Sequence, residues 1–311
     1  MLAVVFPGQG AHKVGMAMEF ARDFSEAREV LEEVDEATGL PLSRWIEQGP
    51  AEVLQRTEIA QPAILAASIA IYRVLEPRLN GSVSYLAGHS LGEYSALVAA
   101  GALELGDAAC LVRRRGALMQ EAVPEGEGGM TAVLGLSGEE VARVCASIEG
   151  AVAPANFNSP LQTVVAGERE ALAAAVAALD AAGAAKLIPL PVSAPFHCSL
   201  MLPAQEKLAP ALTETCFRNA RVPVISNVTS QAYTSVEDAR ALLSQQVCAP
   251  VRWLDCVQTL VRSGVRVQLE VGPGRVLSSL ARKTEPGLVC ANVEKPDDLE
   301  GALARVEEAL A

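Results

Sequence analysis

The chain has 311 residues, of which 50 % are hydrophobic, 20 % charged and only 4 % aromatic; it is long enough for one large core or a large and a small one, and too apolar to be disordered. A formal charge of −12 argues against nucleic acid, because phosphates need a basic footprint. Seven dispersed cysteines with no C-x-x-C pair argue against a zinc site and a disulfide framework, and fit a reducing cytoplasm.

Residues 1–6 are a short apolar run without a basic leader, so they read as a first β-strand rather than a signal peptide. No stretch of about 18 apolar residues free of charge and proline follows, which argues against a membrane span. Phe6-Pro7-Gly8-Gln9-Gly10 is a tight glycine turn at the end of that strand. Its next glycine, Gly15, lies too far on for the dinucleotide pattern G-x-G-x-x-G. The turn suits a close approach of backbone N–H groups to an oxyanion, with Gln9 as the candidate donor.

A second strand is predicted over 83–87 and a small-residue helix over 93–101, with Gly88-His89-Ser90-Leu91-Gly92 between them. Strand, G-x-S-x-G and helix in this order predict a nucleophile elbow with Ser90 as nucleophile. Side chains at Gly88 or Gly92 would collide across the turn. The N–H of Leu91, the residue after the nucleophile, is the second candidate oxyanion donor.

Asp107 is expected to cap a helix running to Ala122. At 100° per residue its apolar stripe holds Ala108, Leu111, Leu118, Met119 and Ala122, and Arg115 falls in the middle of it. A buried guanidinium cannot shed its proton and requires an anion, best a bidentate carboxylate. That carboxylate is either a structural Asp or Glu or a free acid on the substrate.

Residues 126–192 read strand 130–136, helix 138–148, strands 152–156 and 163–166, helix 169–182 and strand 185–191, the β-α-β-β-α-β order of a ferredoxin-like unit. Further strands are expected at 222–226 and 265–271. The predicted fold is therefore α/β: a hydrolase-like large domain of 1–125 and 193–311 with a mainly parallel sheet, carrying an inserted ferredoxin-like (βαββαβ) small domain at 126–192.

A serine needs a base, and the chain has three histidines. His89 adjoins Ser90 and its side chain diverges from it at a sharp turn. His12 follows the first glycine turn. His197, in Ser193-Ala194-Pro195-Phe196-His197-Cys198 after the last strand of the inserted unit, is the favoured base. No carboxylate presents itself as a third triad member. Between 251 and 283, six basic residues stand against two acidic ones, a stretch that could meet an anionic partner.

Six ordered motifs then match one family over essentially the whole chain: the Phe6–Gly10 turn, Gly88-His89-Ser90-Leu91-Gly92-Glu93, Arg115-Gly116, Asn156-Phe157-Asn158-Ser159-Pro160, Phe196-His197, and Gln246 followed by Pro250-Val251-Arg252-Trp253. Together they resemble the malonyl-CoA:acyl-carrier-protein transacylases. The resemblance implies a ping-pong reaction: Ser90 takes malonyl from malonyl-CoA and passes it to the phosphopantetheine thiol of an acyl carrier protein. It implies that His197 is the base, that Gln9 and Leu91 supply the oxyanion hole, and that Arg115 holds the malonate carboxylate. It also implies that the Gln246 carbonyl orients His197, that Asn158 orders the site around His197, and that Phe196 disfavours substituted malonyl groups. Cys198 stands where the family commonly has serine.

No cofactor or metal is implied beyond the carrier's own phosphopantetheine. The resemblance further implies a discrete enzyme of fatty-acid or trans-acting polyketide synthesis. Two other readings remain: a hydrolase discharging acyl groups from carrier proteins on the same serine, which has no need of Arg115, and a non-catalytic scaffold, which has no need of Ser90, His197 and Arg115 together.

Overall fold

The computed structural model describes residues 1–192 and 194–311. Ser193, where the expected second domain boundary falls, lies outside the described residues. Among the described residues ten strands form two sheets: β1 Leu2–Phe6, β2 Val83–Gly88, β3 Gly128–Leu134, β4 Val152–Ser159, β5 Gln162–Glu168, β6 Lys186–Pro189, β7 Val224–Ile225, β8 Ala232–Tyr233, β9 Val267–Val271 and β10 Val289–Val293.

The larger sheet has the order β10-β9-β1-β2-β7-β8. Every pairing in it is parallel except that of β7 with β8. β1 is central and buried along its whole length. Its unbroken apolar run reflects burial on both faces, as expected for a parallel strand covered by helices. Phe6 pairs with Gly88, so the glycine turn after β1 and the elbow after β2 leave the sheet side by side. Open α/β sheets bind ligands at such carboxyl-end crevices.

The smaller sheet is antiparallel throughout, in the order β4-β5-β3-β6. The helices Gly138–Ala146 and Arg169–Ala181 accompany it, and Val133, Val141, Val165 and Leu179 belong to a core of its own. Its first helix starts with a reciprocal cap: the Ser137 side chain accepts from Glu140 N–H while the Glu140 carboxylate accepts from Ser137 N–H. The two sheets are joined through Val251, whose N–H donates to Ala155 O and whose carbonyl accepts from Phe157 N–H, both at 2.8 Å.

The helix Thr57–Leu75 is long and apolar. The segment 57–79 passes for a membrane span by length and composition, yet 89 % of its apolar 18-residue window is buried inside the molecule, so it is a core helix. It packs on the helix Leu105–Glu121. Gly116 permits that contact, since a Cβ there would lie 2.6 Å from Thr57 O.

Several boundaries differ from the sequence reading. The helix carrying Arg115 begins at Leu105, with Glu104 at its N-cap in extended backbone, so Asp107 is in the first turn and does not cap it. An acid there still meets the positive helix end. β7 keeps only two of the residues expected at 222–226, and β9 starts two residues later than expected. The short strand β8 and the edge strand β10 were not anticipated.

Candidate active site

Ser90 sits between β2 and the helix Gly92–Ala99 with φ 51°, a left-handed backbone that a non-glycine residue adopts only when held there. The flanking glycines are required by contact. A Cβ on Gly88 would lie 1.9 Å from Gly92 C, and one on Gly92 would lie 2.1 Å from Phe6 O. Asn227 clamps the turn: Ser90 N–H donates to its Oδ1 at 2.6 Å, and its Nδ2 donates to Gly88 O at 2.7 Å.

Ser90 Oγ lies 2.7 Å from His197 Nε2, and His197 Nδ1 lies 2.8 Å from the carbonyl oxygen of Gln246. A carbonyl only accepts, so Nδ1 carries the proton and Nε2 is free to accept from the serine hydroxyl. Burial, followed by the charge of Arg115, pushes His197 down to about 3, which keeps the imidazole neutral at pH 7, with Nε2 unprotonated and free to accept. The other two histidines are not bonded to Ser90. His12 faces the same cleft. His89 pairs through Nε2 with Asn158 Oδ1 at 2.9 Å and rests against Trp253, ring centroids 5.7 Å apart. The structure thus places Asn158 on the imidazole of His89, the neighbour of Ser90.

Arg115 is 1 % exposed, as its place in the apolar stripe required. Its partners are all neutral. Nη1 donates to Gln61 Oε1 at 2.8 Å, and Nη2 donates to Ser90 Oγ and to Gln246 Oε1, each at 3.0 Å. The guanidinium carbon lies 5.5 Å from the centre of the Tyr94 ring, and Nε has no partner among the described residues. No Asp or Glu makes an ion pair with it there. Of the two anions the sequence left open, a directly paired structural carboxylate is absent among the described residues.

Gln9 and Leu91 both line the cleft. Gln9 Nε2 donates to Thr57 Oγ1 at 3.2 Å, which fixes the side chain. Among the described residues, neither backbone N–H finds an intramolecular acceptor, so both retain donor capacity beside Ser90. The N-terminus of the helix Gly92–Ala99 adds its partial positive charge there. The cleft has a cavity volume of about 280 Å³, and Met119, Met130, Leu190 and Phe196 supply its apolar wall. Arg115 is the one formally charged side chain among the described residues lining it. Among the described residues, no three His, Cys, Asp or Glu side chains are grouped to hold a metal.

The sequence assigns no role to Glu93, although it ends the elbow motif, nor to Asn227, Gln61 or Tyr233. Glu93 is fully buried. Its Oε2 accepts from Asn227 N–H at 3.0 Å and from Gln246 Nε2 at 2.7 Å, and its Oε1 accepts from Tyr233 OH at 2.9 Å. Burial nevertheless pushes it up to about 7. A signal was available: Glu93 opens a helix with no polar face, the same anomaly that singled out Arg115.

The chain matches the acyl transferase domain family over residues 3–295. It is 45 % identical over 305 residues to a malonyl CoA-acyl carrier protein transacylase of Salmonella typhimurium, covering 97 % of this chain and 99 % of that one. The Bacillus subtilis protein of the same name is 42 % identical over 312 residues, covering 99 % and 98 %. Among solved structures, a type II PKS acyl-carrier protein in complex with its malonyl-transacylase contains a similar chain: TM-score 0.95, 44 % identity, 97 % and 99 % covered. An acyl carrier protein S-malonyltransferase of Vibrio cholerae aligns with TM-score 0.94 at 42 % identity, covering 96 % and 99 %. With the family matched over nearly its whole length, the chain belongs to the acyl transferase domain family.

Proposed function

We propose that this chain transfers malonyl from malonyl-CoA to the phosphopantetheine thiol of an acyl carrier protein through a malonyl-Ser90 intermediate. The observation that carries the reading is the seating of a buried arginine, lacking a carboxylate partner, against the nucleophile of a serine–histidine pair. Ser90 Oγ attacks the thioester carbonyl as its proton passes to His197 Nε2. The oxyanion takes hydrogen bonds from the N–H groups of Gln9 and Leu91, each such donor being worth about 10²–10³ in rate. Collapse expels the CoA thiolate, which recovers the proton from His197. The carrier's thiol then repeats the sequence on the acyl-serine. Arg115 holds the free carboxylate of the malonyl group throughout. The reaction needs no cofactor resident in this chain, because phosphopantetheine arrives with the carrier.

The hydrolase-like body of 1–125 and 193–311 with a ferredoxin-like insert at 126–192 is part of the same reading. The strand orders of the two sheets and the separate core of the smaller one support it. A cytoplasmic location accords with seven free cysteines. The test is to mix the protein with malonyl-CoA and a holo carrier protein and to quantify malonyl-carrier against free malonate. Malonyl-carrier as the main product supports transfer; free malonate as the main product would assign a hydrolase instead.

A further inference from the structure

We propose that Glu93 is a positioning residue for this reaction: its charge offsets that of Arg115 in the resting site, and its carboxylate fixes both the guanidinium and the strained nucleophile through two amide side chains. The inference rests on the malonyl-transfer reading above.

Gln246 is the first link. Its Nε2 donates to Glu93 Oε2 at 2.7 Å and to Ser90 O at 3.1 Å, so its Oε1 must face Arg115 Nη2 at 3.0 Å. Reversing the amide would set oxygen against two acceptors and NH₂ against a guanidinium. Asn227 is the second link: its backbone N–H donates to Glu93, while its side chain clamps Ser90 N–H and Gly88 O. One carboxylate thereby sets the register of the acyl-binding cation and of the elbow. Both amide side chains are fully buried, so no water can take over these bonds without rearrangement.

Charge is the other half. Arg115 makes no direct ion pair among the described residues; beside the Tyr94 phenol, Glu93, one amide away, is the carboxylate whose charge acts on it. Neutralising Glu93 leaves a buried cation uncompensated. Such a cation attracts the donor's carboxylate more strongly, and it also opposes the positive charge that His197 gains as it takes the serine proton. KM and kcat for the malonyl donor should therefore fall together, a combination that simple loosening of the site does not produce.

The groups facing Glu93 leave its titration distinct. Tyr94 is pushed up to about 12 by burial, Tyr233 and Cys256 are pushed up further by burial, and His197 is held at about 3. Near neutrality, Glu93 is the member of this cluster that changes charge.

Glu93→Gln separates charge from shape. Its carbonyl oxygen can accept from Asn227 and Gln246 while its NH₂ donates to the Tyr233 hydroxyl, which then acts as acceptor. Acylation by malonyl-CoA is to be followed by stopped-flow or quenched-flow from pH 5.5 to 8.5, for the wild type and for Glu93→Gln. In the variant at pH 8, KM is expected to fall about threefold and kcat about tenfold, as for a unit charge moved at an effective dielectric near 20. The wild-type inflection near pH 7 is expected to vanish. Unchanged constants together with an unchanged profile, or a lowered kcat at unaltered KM that matches a loss of active sites, would overturn the proposal. Should Glu93→Gln fail to fold, Tyr233→Phe keeps the charge and removes one donor to it, so the inflection must move to higher pH; an unmoved inflection overturns the proposal. A wild type that forms no malonyl adduct at all defeats the transfer reading itself, and this proposal with it.

Discussion

Arg115 Nη2 lies 3.0 Å from Ser90 Oγ, the same oxygen that reaches His197 Nε2 at 2.7 Å. The hydroxyl accepts from the guanidinium and donates to the imidazole, so its proton already points at the base. A donor carboxylate that draws on the guanidinium competes for a hydrogen that otherwise damps the nucleophile. Recognition of the free acid and release of the serine for attack thus meet at one nitrogen.

Arg115→Ala should therefore collapse discrimination while leaving the nucleophile in place. The ratio of kcat/KM for malonyl-CoA over acetyl-CoA is expected to fall about 10²-fold, the scale of a lost charge-assisted pair in a site built for it. Steady-state kinetics on both thioesters measure this. Undiminished malonyl preference would remove Arg115 from the carboxylate role.

Gln246 acts twice, and the two roles can be separated. Its main-chain carbonyl holds His197, whereas its amide links Arg115 to Glu93. Gln246→Ala retains the carbonyl and deletes the link. Malonyl acylation is expected to drop about tenfold or more, with acetyl acylation much less affected, as when buried partners are left unpaired. Equal losses for the two donors would show that the amide does not serve the carboxylate site.

Gly116→Ala tests how the arginine is delivered. The added methyl would lie 2.6 Å from Thr57 O and 2.9 Å from Glu58 Cα, forcing two core helices apart and carrying Arg115 from Gln61. A loss of about 1–3 kcal/mol in unfolding free energy is expected, with weakened malonyl preference in the fraction that stays folded. Urea denaturation beside donor kinetics checks both; a neutral effect would mean the helices have slack.

Two opposed titrations within the site contribute to the acid stability. His197 falls from 6.5 to about 3 on folding, so the unfolded chain takes its proton first and stability drops as pH falls below 6.5. Glu93 rises from 4.5 to about 7; its contribution is full below 4.5 and is lost as pH rises towards 7. Between 4.5 and 6.5 the two slopes oppose each other. Glu93→Gln removes one of them, so its stability should climb more steeply with pH across that window than the wild type's. Denaturant titrations at pH 5 and pH 6.5 decide the matter, and parallel slopes would contradict the assignment.

What the sequence disclosed was local. Ser90 announced itself because strand, turn and helix are contiguous, and Arg115 because one cation interrupted an apolar stripe. The elements of the smaller sheet were legible from their alternation to within a few residues. The bonds that hold the site are of another kind. Asn227 reaches Ser90 from 137 residues away, and Glu93 meets Gln246 across 153, and no periodicity encodes such pairings. The backbone carbonyl that orients His197 has no side-chain signature at all, and only family resemblance pointed to Gln246. Asn158 shows a related limit: a motif marks that a residue is present, but not that its amide meets the imidazole of His89.

The central claim is a malonyl group carried on Ser90 and gripped by Arg115. The most direct measurement is intact mass, with peptide mapping, after brief exposure of the wild type and Ser90→Ala to malonyl-CoA and, separately, acetyl-CoA. The account predicts a malonyl adduct on Ser90 in the wild type, much less acetyl adduct, none in Ser90→Ala, and discharge of the adduct by a holo carrier protein. An adduct that persists in Ser90→Ala, or acetyl labelling equal to malonyl, would contradict it.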